Sequence, residues 1–316
     1  MQFSRVMTRV LTAGGLGALN LSVTAHAFAE NRNGPTDGSF GLQRSVTPVM
    51  DFIGKFYHWG LLPLMVGIVA TVTLLLLFIM IRFREKANPI PSKTTHHVGL
   101  ELAWTLIPVV ILFCLAIPGL KGLYFMDVVQ DEEMTIKVTG NTWYWEYSYP
   151  DLLDKVDTIT STIVDIPMEE KHGANGKGLT HAQIVKIIEA RPAGEPRLNG
   201  RPYLLSTDAP LVVPVDTTIK VLVTSNTNTH AFSVPQFGVK IDAVPGRINE
   251  TWFKVKEEGT FNGQCSEICG VNHSFMPIEV KVVSKEAFKA WVDNGGVFPA
   301  KYSQLNLGGT KTAALK

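Results

Sequence analysis

Two uncharged apolar runs constrain most strongly what this chain can fold into. Residues 60–81 carry no charged side chain and are dominated by Leu, Val, Ile, Phe and Met, and residues 102–120 repeat the pattern. Each reaches the ~20 residues needed to cross a bilayer. Both are apolar on every side, whereas a helix of a soluble core carries one apolar stripe. Pro63, Pro108 and Pro118 fall in these runs, where membrane helices tolerate proline. The link between them holds Arg82, Arg84, Lys86 and Lys93 against Glu85. Positive loops stay in the cytoplasm, so a two-helix transmembrane hairpin is expected, with spans at 60–81 and 102–125 and a cytoplasmic loop at 82–101. Cys114 lies inside the second run as a core or lipid-facing residue.

The first residues agree with this topology. Arg5 and Arg9 precede a weakly apolar, glycine-containing stretch, followed by Ala27-Phe28-Ala29, a small-x-small pattern. Residues 1–29 read as a signal peptide, and 30–59 as an exported segment before the first span. The chain is expected in a bacterial inner membrane with its main domain in the periplasm. With a formal net charge of +1, no nucleic-acid partner is expected.

Beyond residue 125 the chain becomes polar, with short β-rich runs at 135–138, 217–224 and 278–283. Turn formers such as Asn141, Pro150, Pro214, Asn226, Pro235, Pro245-Gly246 and Gly259 interrupt them. Strands at this spacing predict an all-β sandwich or barrel over 126–298. Ser284 is placed to cap a helix whose stripe is Ala287, Phe288, Trp291 and Val292. Residues 168–200 read as an insertion with a short helix after Thr180; its His172 and His181 are expected on the surface. Residues 299–316 show no pattern and read as a flexible tail.

The chemistry concentrates in Cys265-Ser266-Glu267-Ile268-Cys269-Gly270-Val271-Asn272-His273-Ser274-Phe275-Met276. Two thiols, an imidazole and a thioether in one loop are soft or borderline metal ligands. A thioether beside thiolates favours copper over zinc. A single-copper blue site has one thiolate; two thiolates suit a pair of bridged metals. His230 lies upstream, able to join from another loop. A Cys265–Cys269 disulfide is the alternative, since the compartment is oxidising, but it gives no reason for His273 and Met276.

These residues, with Lys240-Ile241-Asp242-Ala243-Val244-Pro245-Gly246-Arg247 upstream, resemble subunit II of cytochrome c oxidase over about residues 52–283. The resemblance implies a cupredoxin-like Greek-key sandwich holding a binuclear copper centre, CuA. Cys265 and Cys269 would bridge both coppers, His230 and Met276 would complete one, and His273 with the backbone carbonyl of Glu267 the other. It also implies that Trp143, first of Trp143-Tyr144-Trp145, is the electron entry from cytochrome c. The Glu267 side chain would help bind Mg²⁺ at the boundary with subunit I, and Glu101 would stand near a proton-channel entrance. On position alone Glu101 also reads as an interfacial charge that snorkels to water.

Trp145 and the neighbouring tyrosines read as a half-buried strand. From 127 to 170 eleven acids face two bases, Lys137 and Lys155; such a face steers a basic partner. Asp242 is a docking candidate. The expected partners are cytochrome c, subunits I and III, and the membrane. The expected function is electron transfer to haem in subunit I for reduction of O2 to water. A copper-delivery protein or a disulfide-stapled membrane module is the alternative, and a related quinol oxidase subunit would lack the copper ligands.

Overall fold

The computed structural model describes residues 39–90, 92–129, 131–167, 170–171, 178–192 and 195–305. The expected signal peptide, residues 30–38, His172 and the tail beyond 305 lie outside them.

The first helix, α1 (Pro48–Phe56), runs through a π turn at Tyr57–Leu61 into α2 (Leu62–Arg82). Thr47 starts it by accepting from Met50 N, with Pro48 at the first helical position, where its fixed φ suits a helix and its missing N–H costs nothing. The returning helix α3 spans Val98–Asp127. Neither long helix buries its most apolar window inside the protein, as expected of surfaces solvated by lipid. Cys114 is exposed on α3. α1 belongs to the exported domain: Val49 and Met50 are buried, Val46 joins the β-domain core, and Thr47 Oγ1 donates to Phe237 O at 2.7 Å. On sequence alone this segment is expected only as an exported stretch before the first span.

A sandwich follows, in which a five-stranded sheet has the order β3-β2-β1-β5-β8 and a three-stranded sheet the order β4-β10-β9, with the pair β6-β7 beside them. The strands are β1 (Met134–Asn141), β2 (Tyr144–Ser148), β3 (Ile159–Ser161), β4 (Leu211–Pro214), β5 (Ile219–Ser225), β6 (His230–Val234), β7 (Val239–Ala243), β8 (Asn249–Phe253), β9 (Gly259–Gln264) and β10 (Pro277–Val283). β1 with β5 and β4 with β10 are parallel, and parallel neighbours cannot be joined by tight hairpins. Long connections therefore carry the chain between sheets. β5 alternates inward and outward, as a strand with one wet face should. Trp145 and Tyr147 point inward from β2 and are fully buried.

β10 is buried along its whole length, although it carries Glu279 and Lys281. β10 lies between β4 and β9, Lys281 is met by Phe298 and Leu305, and Glu279 is met from the side of the insertion. Its helix α4 (His181–Glu189), with Thr180 N donating to Gln183 Oε1 at 2.8 Å, buries Ile184 and Ile188 against Val164, Ile166 and Leu198. From this small core Arg201 reaches Glu279, donating at 2.7 and 2.9 Å. His181 is exposed and lies edge-on to Tyr203. The closing helix α5 (Lys285–Asp293) is capped by Ser284 Oγ, which accepts from Ala287 N at 3.1 Å.

Lys281, whose ammonium donates to Leu305 O, is pushed down to about 8 from an ordinary 10.5, first by burial. Between those values the unfolded chain binds more protons than the folded one, so this residue makes stability rise with pH across the window. Below pH 8 its burial penalty is present in full. We expect Lys281→Met to flatten the rise in denaturation midpoint between pH 8 and 10.5 relative to the parent; parallel pH profiles would contradict this.

The sandwich meets the membrane hairpin through aromatic packing. Trp252 Nε1 donates to Phe125 O at 3.1 Å, and their rings meet edge-on at 5.4 Å. Phe52 of α1 closes over Gly122, where a Cβ would lie 2.3 Å from its ring. Only glycine admits this approach.

Candidate metal centre

β9 and β10 form a hairpin whose last pair is Gln264 with Pro277, so residues 265–276 are one closed loop. Cys265 N donates to Met276 O at 3.4 Å and Ser266 N to Ala231 O at 3.2 Å; the second bond brings the loop against β6, whose first residue is His230. Two indoles hold the carbonyls behind the ligands. Trp143 Nε1 donates to Cys269 O at 3.0 Å, and Trp145 Nε1 to Met276 O at 3.3 Å. Asn228 Nδ2 also donates to Cys269 O, at 2.8 Å. Gly140 makes room for the imidazole: a Cβ there would lie 2.9 Å from His230 Cδ2.

These constraints bring six donors together. Cys265 Sγ lies 3.9 Å from Cys269 Sγ, 3.8 Å from His230 Nδ1 and 3.3 Å from Glu267 O. Cys269 Sγ lies 3.5 Å from both His273 Nδ1 and Met276 Sδ. Both cysteines are buried and free. A disulfide needs ~2.05 Å between sulfurs, so 3.9 Å rules one out here. Two metal–sulfur bonds of ~2.3 Å at a tetrahedral angle place sulfurs about 3.8 Å apart. The donor set, two thiolates, two imidazoles, a thioether and a carbonyl, is soft enough for copper.

The electrostatics favour a cation. Burial, then the nearby His273, holds His230 below the usual imidazole range, leaving the neutral form that ligates metals. Its Nε2 faces Thr227 Oγ1 at 3.4 Å, so Nδ1 is the nitrogen aimed into the site. Burial, then Cys265, pushes the Cys269 thiol up to about 12; a bound metal acts in the opposite direction, favouring the thiolate.

Other residues singled out in the sequence fall at different distances from this centre. Trp143 touches it and is half-buried. Asp242 is exposed on β7, opposite Ala231, one residue from His230. The Glu267 side chain is half-buried. Glu101 is remote: it sits in the first turn of α3 and accepts from His97 N at 3.0 Å, ~39 Å of helix rise from Asp127. The sequence reading missed Asn228, Thr227 and Gly140. Asn228 stands in a run of turn formers two residues before His230, the one signal that could have marked it.

Family comparison agrees with the geometry. Residues 134–283 match the family described as cytochrome C oxidase subunit II, periplasmic domain, and residues 35–121 match its transmembrane domain. A cytochrome c oxidase subunit 2 from Cereibacter sphaeroides is 38% identical over 305 residues, 94% of this chain and 95% of that protein. This chain belongs to the cytochrome c oxidase subunit II family. A probable cytochrome c oxidase subunit 2 from Rickettsia bellii is 37% identical over 90% of this chain and 92% of its own length. The crystal structure of the periplasmic domain of subunit II of cytochrome oxidase of Bradyrhizobium japonicum is 39% identical, covering 53% of this chain and 96% of that one, with a TM-score of 0.41. As a member of this family the chain is a component of a cytochrome c oxidase, an oxidoreductase. Its architecture is two apolar helices followed by a cupredoxin-like sandwich.

Proposed function

We propose that this chain is the electron-accepting subunit of a cytochrome c oxidase in a bacterial inner membrane, with its sandwich in the periplasm. In this reading it holds two copper ions, takes electrons from cytochrome c, and serves haem in subunit I, with subunit III also in the complex. The convergence of His230, Cys265, Cys269, His273, Met276 and the Glu267 carbonyl within 3.3–3.9 Å contacts supports it. Copper held there by these donors would supply one-electron storage. The chain's own residues hold the donors in place: Trp143, Trp145 and Asn228 fix the loop carbonyls, and burial keeps water from the sulfurs.

Asp242, exposed one residue from His230 on the neighbouring strand, is the docking carboxylate offered to a basic cytochrome. Trp143, joined to Cys269 O, is its entry point. The Glu267 carboxylate is assigned to Mg²⁺ shared with subunit I, a metal content with one protein carboxylate plus outside ligands. Glu101 is assigned to the proton-channel entrance, a role in which its carboxylate must exchange its bond to His97 N for a path partner.

The deciding measurement is copper content and EPR of the purified oxidase. Two coppers in this subunit sharing one unpaired electron are expected; one copper, or none, would return the copper-delivery alternative. Trp143→Phe keeps the ring over Gly270 and removes the bond to Cys269 O. Reduction by cytochrome c should slow ~10–100-fold, the range for residues supporting metal ligands, with the EPR signal retained. An unchanged rate in rapid mixing would take Trp143 out of the path.

A further inference from the structure

Where the last turn of α3 meets β7 and β8, a cavity of about 180 Å³ opens, lined among others by Leu123, Met126, Asp127, Lys240, Glu250 and Trp252. We infer that it binds the head group of a zwitterionic aminophospholipid, phosphatidylethanolamine in type, at the outer surface of the membrane.

Size excludes larger ligands. The cavity falls short of the ~300–1,000 Å³ of pockets for cofactor-sized molecules, so it admits a small polar group. Its charges select the kind. Among the described residues neither Asp127 nor Lys240 has an ion-pair partner, and both are exposed. Glu250 is shared with Lys220, at 3.1 Å. A notch that offers an unpaired base and an unpaired acid complements a ligand carrying both signs: phosphate toward Lys240, ammonium toward Asp127 and Glu250. Carboxylates accept hydrogen bonds, which favours an ammonium with N–H donors over a quaternary one.

Position turns a zwitterion into a lipid. Asp127 ends a helix whose apolar length crosses the bilayer, so the cavity stands at the level of the head groups. Below it Leu123, Leu120 and Phe113 share one face of α3 by helical spacing, and each is more than half exposed. This stripe gives acyl chains an apolar track leading down from the notch. A free phosphoethanolamine offers the same head-group chemistry without that track.

The inference rests on α2 and α3 spanning a membrane and not on copper, so a failed copper assignment leaves it standing. The test is native mass spectrometry of the purified oxidase titrated with dioleoyl phosphatidylethanolamine, comparing the parent with Lys240→Glu and Asp127→Asn. Haem and subunit content serve as the check on assembly. The parent is expected to retain one more lipid than either variant, at least tenfold more tightly than phosphatidylglycerol, whose net charge is negative. Equal lipid counts in all three proteins would overturn the site. Equal retention of phosphatidylglycerol would overturn the zwitterion assignment. Displacement by soluble phosphoethanolamine at concentrations matching the lipid would overturn the lipid assignment in favour of a small-molecule pocket. A photo-crosslinker placed at Thr251, an uncharged residue of the lining, should label lipid; labelling a neighbouring subunit instead would show the notch to be a protein contact and overturn the inference.

Discussion

Cys265→Ser should empty the metal centre and lower the rate with cytochrome c by more than the ~10–100-fold typical of residues one step behind the ligands. Cys265 is in contact with three other donors at once: Cys269, His230 and the Glu267 carbonyl. A serine oxygen is hard, stays protonated, and does not replace a soft thiolate as a bridge. Ser is close to Cys in size, so the sandwich is expected to stand. Copper analysis beside a thermal melt separates the two effects. Full copper in a folded variant would refute the role given to Cys265; loss of both fold and copper would point to a structural cysteine.

Arg201→Met should destabilise the exported domain by about 3–5 kcal/mol, the cost of leaving one partner of a buried ion pair alone. Glu279 has a side chain with no exposure, and Arg201 retains 11%. Thr207 N still donates to the carboxylate at 2.7 Å, and Lys281 acts on it from farther off, but among the described residues no other cation is in ion-pair contact with it. Adding Glu279→Leu to Arg201→Met removes the stranded charge and should recover most of the loss, because well-packed apolar pairs often match buried ion pairs. Urea midpoints of the three proteins measure this. A loss under about 1 kcal/mol for the single variant would match an exposed pair and contradict the burial.

The metal loop was the most legible part of the chain, because its donors lie within one closed hairpin and soft side chains rarely cluster without a metal. The membrane runs were equally plain, since composition alone marks them; their helices extend to Leu62–Arg82 and Val98–Asp127. α1 was hidden for a physical reason: it merges without a break into α2, and nothing local says that Val46, Val49 and Met50 fold back under the sandwich. The insertion was legible as an insertion, its helix even to the Thr180 cap. What it covers was not, because Arg201 and Glu279 stand 78 residues apart and only the parallel pairing of β4 with β10 brings them together. Asn228 and Gly140 were missed for a related reason. Each acts on a ligand through space, one by a hydrogen bond and the other by the absence of a side chain.

The packing of Phe52, Gly122, Phe125 and Trp252 also bears on how fast the centre works. A domain hung from a helix by a loose tether samples a volume, and its encounters with a fixed acceptor are governed by effective concentration. Here the tether is bypassed: α1 and Trp252 grip the end of α3 from two sides, so the copper loop is held at one height above the bilayer. Under the proposed function, electrons would arrive and leave with the domain in one place, without the search that a loose tether would impose.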